Sequence, residues 1–511
     1  MDQTRAPRLL AALLLLWAGV VACGESREAD PVAPILLVGM DGLDWSVLRS
    51  LMDDGECPNM RGLMEEGSFG RLATFTPTLS PAIWNTIATG KHPKRHGIES
   101  FLDSQNRVFT SDRRACRALW NIADRYGLTS QVFGWWTTWP VEEIRGLMVS
   151  GSSSGALVNA NWKPTLLPDL PGQVHPSART DEILDLVSQV GQAERIEALA
   201  REQIFGVIPD QHLGIVEKEI LIPETLWSIQ ADQTYYAVAH EVLRHDLADL
   251  NMVYFGGTDV SAHRFWRYYE PDVFEWPDNP QVDRLVAEQL KSLFPATSVE
   301  TVRELVATTE GDRALSEVVP NYYRLMDNML GGLLEVVGEG VTVIIVSDHG
   351  FHASSTQTPN AKFITGHHQD APPGVIIAAG PGIARQGNVE EFLETGRLPS
   401  RGTVFHVAPT VLALLGIPPD KEMKHGVYRA LLADEVAERG AMKPIESHDE
   451  GFRSAEVRPM PEEMDEAFRR AMGQLGYLDM EVEEGADVQL VDPETFEADI
   501  KFSVDGGGEG S

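Results

Sequence analysis

Cysteine is scarce in this chain: three residues in 511, at positions 23, 57 and 116. No two stand in a C-x-x-C pair, so the thiols do not form a metal-binding motif. Basic residues are also in short supply. Lys and Arg number 42 against 76 Asp and Glu, a net charge of −34, which argues against a nucleic-acid partner. The same field repels anionic substrates at long range. A phosphate-ester substrate would therefore need strong local positive charge, for which bound metal is the natural source. Finally, no apolar run near the start reaches the ~20 residues that a membrane-spanning helix needs.

The run that is there, residues 9–22, follows Arg5 and Arg8 and ends at Cys23. A charged n-region, an apolar h-region and small residues before a cleavage point make a secretory signal. Val20-Val21-Ala22-Cys23-Gly24 resembles a bacterial lipoprotein signal, cleaved before Cys23 with lipid on its thiol; an ordinary secretory signal is the alternative. The expectation is a signal peptide at 1–22, a tether at 23–33, and an exported protein lipid-anchored to the cell envelope. Export permits a disulfide between Cys57 and Cys116, and the sequence leaves their pairing open. At 43% hydrophobic and 23% charged the composition is globular, and the length exceeds the ~250–300 residues one core supports. We expect an α/β catalytic domain at 34–435 with an insertion at about 150–250. An acidic tail follows at 436–511, with one helix at 460–478 and a disordered end.

Three strand-like runs end in metal-ligand chemistry. Val341–Val346 is uncharged and β-branched, as a strand buried on both faces should be, and runs into Ser347-Asp348-His349-Gly350. Pro34–Met40 ends in Asp41-Gly42-Leu43-Asp44, and Met252–Gly257 is followed by Asp259 and His263. Four residues apart, the last two share a face if a helical turn starts there. In open α/β sheets ligands bind beyond the carboxyl ends of the strands, and zinc accepts carboxylate oxygen and imidazole nitrogen together. Singly, each pattern is an ordinary turn or surface pair. Ser80 stands before Pro81, a residue suited to the first helical position, so its hydroxyl is expected at an N-cap, where the helix dipole favours an anion.

Thr89-Gly90, Pro93 and His96-Gly97-Ile98 follow Ser80 at set intervals. With the Asp41 and Asp348-His349 strand ends, this segment resembles the type I phosphodiesterase/nucleotide pyrophosphatase family of the alkaline phosphatase superfamily. The resemblance spans roughly 34–430. It implies an alkaline-phosphatase-like α/β/α sandwich with a mostly parallel central sheet and a capping insertion. It makes Ser80 the nucleophile, with Thr78 a weaker candidate, and implies two divalent metal ions, zinc by family expectation. Asp41, Ser80, Asp348 and His349 would hold one, and Asp259, His263 and His368 the other. The family's Gly-x-His falls on His368, with His367 as the near miss.

The family also has an Asn soon after His-Gly-Ile; here Glu99-Ser100-Phe101 stands instead, and Asn85, one helical turn beyond Ser80, is the candidate to replace it. The implied activity is hydrolysis of small-molecule phosphate esters, diesters first. A phosphomonoesterase or phosphoryl transferase with the same site is the alternative, and an inactive surface-binding lipoprotein a second. Ser80-Pro81-Ala82-Ile83-Trp84 does not match the C/S-x-P-x-R of sulfatases. Trp135, Trp136 and Trp139, after a strand at 129–134, are assigned neither to a pocket nor to packing.

Overall fold

The computed structural model describes residues 32–151, 171–208, 213, 217–274, 315–354, 364–369, 372–390, 401–440, 443–453, scattered positions from 458 to 472, and 489–490. The expected signal segment, Cys23 and the tether up to residue 31 lie outside the described residues, as do the last residues of the tail.

A ten-stranded sheet organises the chain. Its strands are β1 (Ile35–Met40), β2 (Ser68–Ala73), β3 (Ser130–Phe133), β4 (Gly146–Val149), β5 (Val174–His175), β6 (Leu250–Phe255), β7 (Thr342–Val346), β8 (Gly374–Ala379), β9 (Gly387–Asn388) and β10 (Gly402–Thr403). The order is β9-β2-β8-β7-β1-β6-β3-β4-β5, with β10 also on β2. Strands β7, β1, β6, β3 and β4 run parallel. β8 is antiparallel to both neighbours, and β5 is antiparallel to β4.

The central strands are apolar throughout because both faces are covered. Leu36, Val38 and Met40 of β1 enter one core; Ile35 and Leu37 enter the other. The first core packs helices α1 (Trp45–Asp53), α3 (Leu226–Leu243), α4 (Gly257–Tyr269) and α5 (Val318–Val337). The second packs α2 (Ser80–Thr89) and α6 (Val407–Leu414). The result is the α/β/α sandwich with a mostly parallel sheet that the sequence led us to expect.

Two local readings need correction. The spacing of residues 179–204 predicts an amphipathic helix, but the stretch is not one helix. It breaks at Gly191 between Thr180–Val190 and Ala193–Leu199, because Gln192 is extended and its carbonyl starts a new helix by accepting from Ile196 N. Ser80 is not the N-cap of α2. Leu79 is, since its extended backbone presents the carbonyl that Ile83 N meets at 3.0 Å, and Ser80 is the first helical residue. Cys57 and Cys116 are both buried and unpaired; burial, the largest cause, pushes each thiol up to about 12. In the tail, the described positions between 462 and 472 that carry structure are helical, with Phe468 and Met472 buried in the second core. Positions 473–478 of the expected helix lie outside the described residues.

Candidate active site

Asp41 follows β1 and Asp348 follows β7, so adjacent parallel strands deliver two carboxylates to one edge of the sheet. Asp41 is gripped through one oxygen. Its Oδ2 accepts from Tyr254 OH at 2.5 Å and from Trp84 Nε1 at 2.8 Å. Trp84 can lie across β1 because residue 39 is glycine: a Cβ there would come within 2.6 Å of the indole ring. The other oxygen, Oδ1, faces His349 Nε2 at 3.4 Å. Asp348 Oδ1 accepts from Gly42 N at 3.2 Å, and its Oδ2 lies 3.3 Å from His349 Nε2. His349 Nδ1 meets the carbonyl of Gly350 at 3.1 Å. A carbonyl only accepts, so the proton sits on Nδ1 and Nε2 presents its lone pair to the carboxylates.

The third set comes from the opposite layer to α2. Asp232, on α3, accepts from Gly256 N and Gly257 N, both at 2.9 Å, and so fixes the start of α4. Gly257 admits no side chain, since a Cβ would overlap Tyr322 OH at 1.7 Å. One turn later Asp259 and His263 share a face, with Nε2 to Oδ1 at 3.4 Å. His263 Nδ1 meets Gly366 O at 2.8 Å, the same orienting device as in His349. His368 Nε2 lies 3.7 Å from Asp259 Oδ1, and its ring stacks on His349 with centroids 3.9 Å apart. His367 turns the other way, against His352 at 4.1 Å, and its Nδ1 accepts from Gln369 N. The geometry thus separates His368, the residue that spacing favoured, from its neighbour His367.

Two ligand-like groups result: Asp41, Asp348 and His349, and Asp259, His349 and His368, each with donor atoms within 4.8 Å of one another. His349 belongs to both. The electrostatics of the bare site are unfavourable. Burial first, then the charge of Asp259, pushes Asp41 up to about 7. Burial and the neighbouring Asp41 push Asp348 well above the usual carboxylate range. Burial pulls His349 down to about 4 and His368 well below its ordinary value.

Ser80 is buried and lines the same cavity as Asp41 and Asp259. Thr78 does not line it; its hydroxyl donates to Phe75 O at 3.3 Å. Asn85 does not supply the missing amide either. Its Nδ2 is engaged by Pro81 O at 2.8 Å and Thr137 Oγ1 at 2.9 Å, leaving only an acceptor oxygen. His96, the motif histidine, is structural: Nε2 pairs with Thr86 Oγ1 at 3.1 Å and Nδ1 accepts from Ile98 N, bracing α2 from behind. Trp135, Trp136 and Trp139 all line the cavity. Tyr254, Trp84 and Asp232 escaped sequence reading. Their only signals were a hydroxyl and an indole N–H within otherwise apolar elements and an acid in a buried helical position.

The chain matches the family model for type I phosphodiesterase/nucleotide pyrophosphatase over residues 35–394. No curated protein matches it. Solved structures similar to it include human ectonucleotide pyrophosphatase/phosphodiesterase 5, at 12% identity and TM-score 0.40, covering 75% of this chain and 95% of that one. A candidate sulfatase from Bacteroides thetaiotaomicron gives 13% and 0.42, covering 82% and 76%. Phosphonoacetate hydrolase from Sinorhizobium meliloti gives 14% and 0.33, covering 63% and 57%. The match over 35–394 spans most of the 511 residues: the chain belongs to the type I phosphodiesterase/nucleotide pyrophosphatase family, whose members are phosphoric-ester hydrolases.

Proposed function

We propose that this chain hydrolyses small-molecule phosphodiesters through a covalent phosphoserine on Ser80, at a centre that takes two divalent cations, zinc by its donor set. One observation carries the metal assignment. Asp41 Oδ1, Asp348 Oδ2 and His349 Nε2 are buried with no hydrogen-bond partner among the described residues, yet the two oxygens lie 3.4 and 3.3 Å from that nitrogen. Buried polar atoms are rarely left so, and mixed carboxylate oxygen and imidazole nitrogen suits zinc. Asp41, Asp348 and His349 with Ser80 would hold one ion; Asp259, His263 and His368 would hold the other. Bound there, the ions would lower the pKa of a coordinated hydroxyl and offset charge on phosphoryl oxygens.

The chain's own residues do the rest. The Ser80 oxygen, its proton lost to solvent, attacks phosphorus. The bond to the leaving ester oxygen breaks, and an alcohol departs. Water then cleaves the Ser80 ester and releases a monoester. Tyr254 and Trp84 keep Asp41 Oδ1 aimed inward throughout.

Diester over monoester is supported by the cavity wall, which includes neither Lys nor Arg among its described residues. A dianionic monoester is ordinarily clamped by Arg. Kinetics with an aryl phosphate and the matching aryl methyl diester test this: kcat/KM should favour the diester by about tenfold or more, roughly the worth of one charged hydrogen bond. A preference for the monoester would overturn the substrate class.

The carboxylates also set a pH signature. Asp41 moves from its ordinary 3.8 to about 7 in the metal-free fold. Between those values the folded chain holds a proton that the unfolded chain has lost, so metal-free stability falls as pH rises. His349, held near 4, is already neutral over most of that window. Metal binding requires ionised carboxylates, so occupancy strengthens in the same direction. The Tm gap between zinc-loaded and chelator-treated protein should therefore widen from about pH 5 to about pH 8. A gap that narrows would contradict the assignment.

A further inference from the structure

The C-terminal segment lies beyond the family match at 35–394, yet it reaches the candidate active site. Met460, Phe468 and Met472 line the same cavity as Asp41, Ser80 and Asp259. The segment is fixed there through its polar face. Asp465 accepts from Val108 N at 3.2 Å, and Arg469 donates to Asn106 O at 3.3 Å. Upstream, Arg458 N donates to Asp112 Oδ2 at 2.5 Å.

A chain of rings joins this segment to the metal-ligand cluster. Tyr254, which grips Asp41, meets Trp136 edge-on at 6.2 Å. Trp136 in turn meets Phe101 at 5.8 Å and Phe468 at 6.4 Å. Such edge-to-face contacts hold rings at fixed angles, while methionines adapt to the shape of an apolar guest. With no Lys or Arg among its described lining residues, the cavity offers no counter-charge for a second phosphate. Its wall includes Ser80 and Pro81 themselves. In an in-line displacement the leaving oxygen departs on the side opposite the attacking oxygen, so a cavity beside Ser80 faces the substituent that stays on phosphorus.

We propose that the C-terminal segment completes a specificity pocket for an uncharged apolar or aryl substituent, the one retained on phosphorus after the leaving group departs. This rests on the hydrolase reading above and names the substrate class for that same site. The segment is a specificity element supplied from outside the family domain, so the pocket exists only in the full chain.

The test compares 4-nitrophenyl methyl phosphate with 4-nitrophenyl phenyl phosphate, which share a leaving group and differ only in the retained substituent. Burial of the phenyl ring should raise kcat/KM by about tenfold or more in the wild type. Phe468→Ala should lower that phenyl-to-methyl ratio at least about threefold. Met460→Lys, at a half-buried position, should lower it as well and so covers the case in which Phe468→Ala loosens the segment. A wild-type ratio near one, or a ratio that neither variant lowers, overturns the pocket while leaving the hydrolase intact. Failure of the wild type to cleave either ester sinks the hydrolase reading, and this proposal with it.

Discussion

Ser80→Ala is expected to reduce phosphodiester hydrolysis on the order of 10³-fold or more while the fold persists. The expectation comes from position. Ser80 opens α2, beside Asp41 on the cavity wall, with the helix N–H groups behind it. Alanine removes one oxygen, keeps helix propensity and leaves six Asp and His ligands in place, so Tm should hardly move. Because the covalent route is lost, the fall should appear in kcat and kcat/KM together. Thr78→Ala, at a hydroxyl turned to Phe75 O, should change the rate by only about twofold, within the spread of an ordinary buried substitution. Comparable losses in the two variants would remove Ser80 from its role.

Asp348→Asn should lose at least one equivalent of bound metal and activity on the order of 10²-fold or more. An amide matches the carboxylate in size but brings no charge to the cation. The variant also separates metal loss from misfolding. In the metal-free fold Asp348 sits against Asp41 and Asp259, and burial with their charge holds its proton on well above the normal range. Asparagine relieves that conflict, so chelator-treated Asp348→Asn should melt no lower than chelator-treated wild type. A variant that keeps all its metal, or one that melts far lower without metal, would contradict the account.

The site was legible in sequence where chemistry ends an apolar strand. Asp41, Asp259, His263, Asp348 and His349 follow β1, β6 and β7, and uninterrupted apolar runs mark strands buried on both faces. Spacing placed the ligand at His368 with His367 as the near miss, and the fold turns their rings apart, His368 onto His349 and His367 against His352. The orienting partners were hidden. Tyr254 and Trp84 act through single polar atoms on otherwise apolar bodies, so hydropathy counts them as core. β2 was missed because Ser68-Phe69-Gly70-Arg71-Leu72-Ala73 has no sustained apolar run; Arg71 is carried by an ion pair with Glu390, distant in sequence. The reach of the tail into the cavity was equally unreadable. Phe468 and Met472 sit within an acidic stretch, and only their burial against the second core shows what they face.

The most direct test of a two-cation hydrolase site is metal reconstitution. Chelator-treated protein should be inactive toward an aryl phosphodiester, and stepwise addition of zinc should restore activity with a break near two equivalents per chain, matched by the bound metal measured in the same samples. Full activity in protein shown to be free of metal would contradict the account.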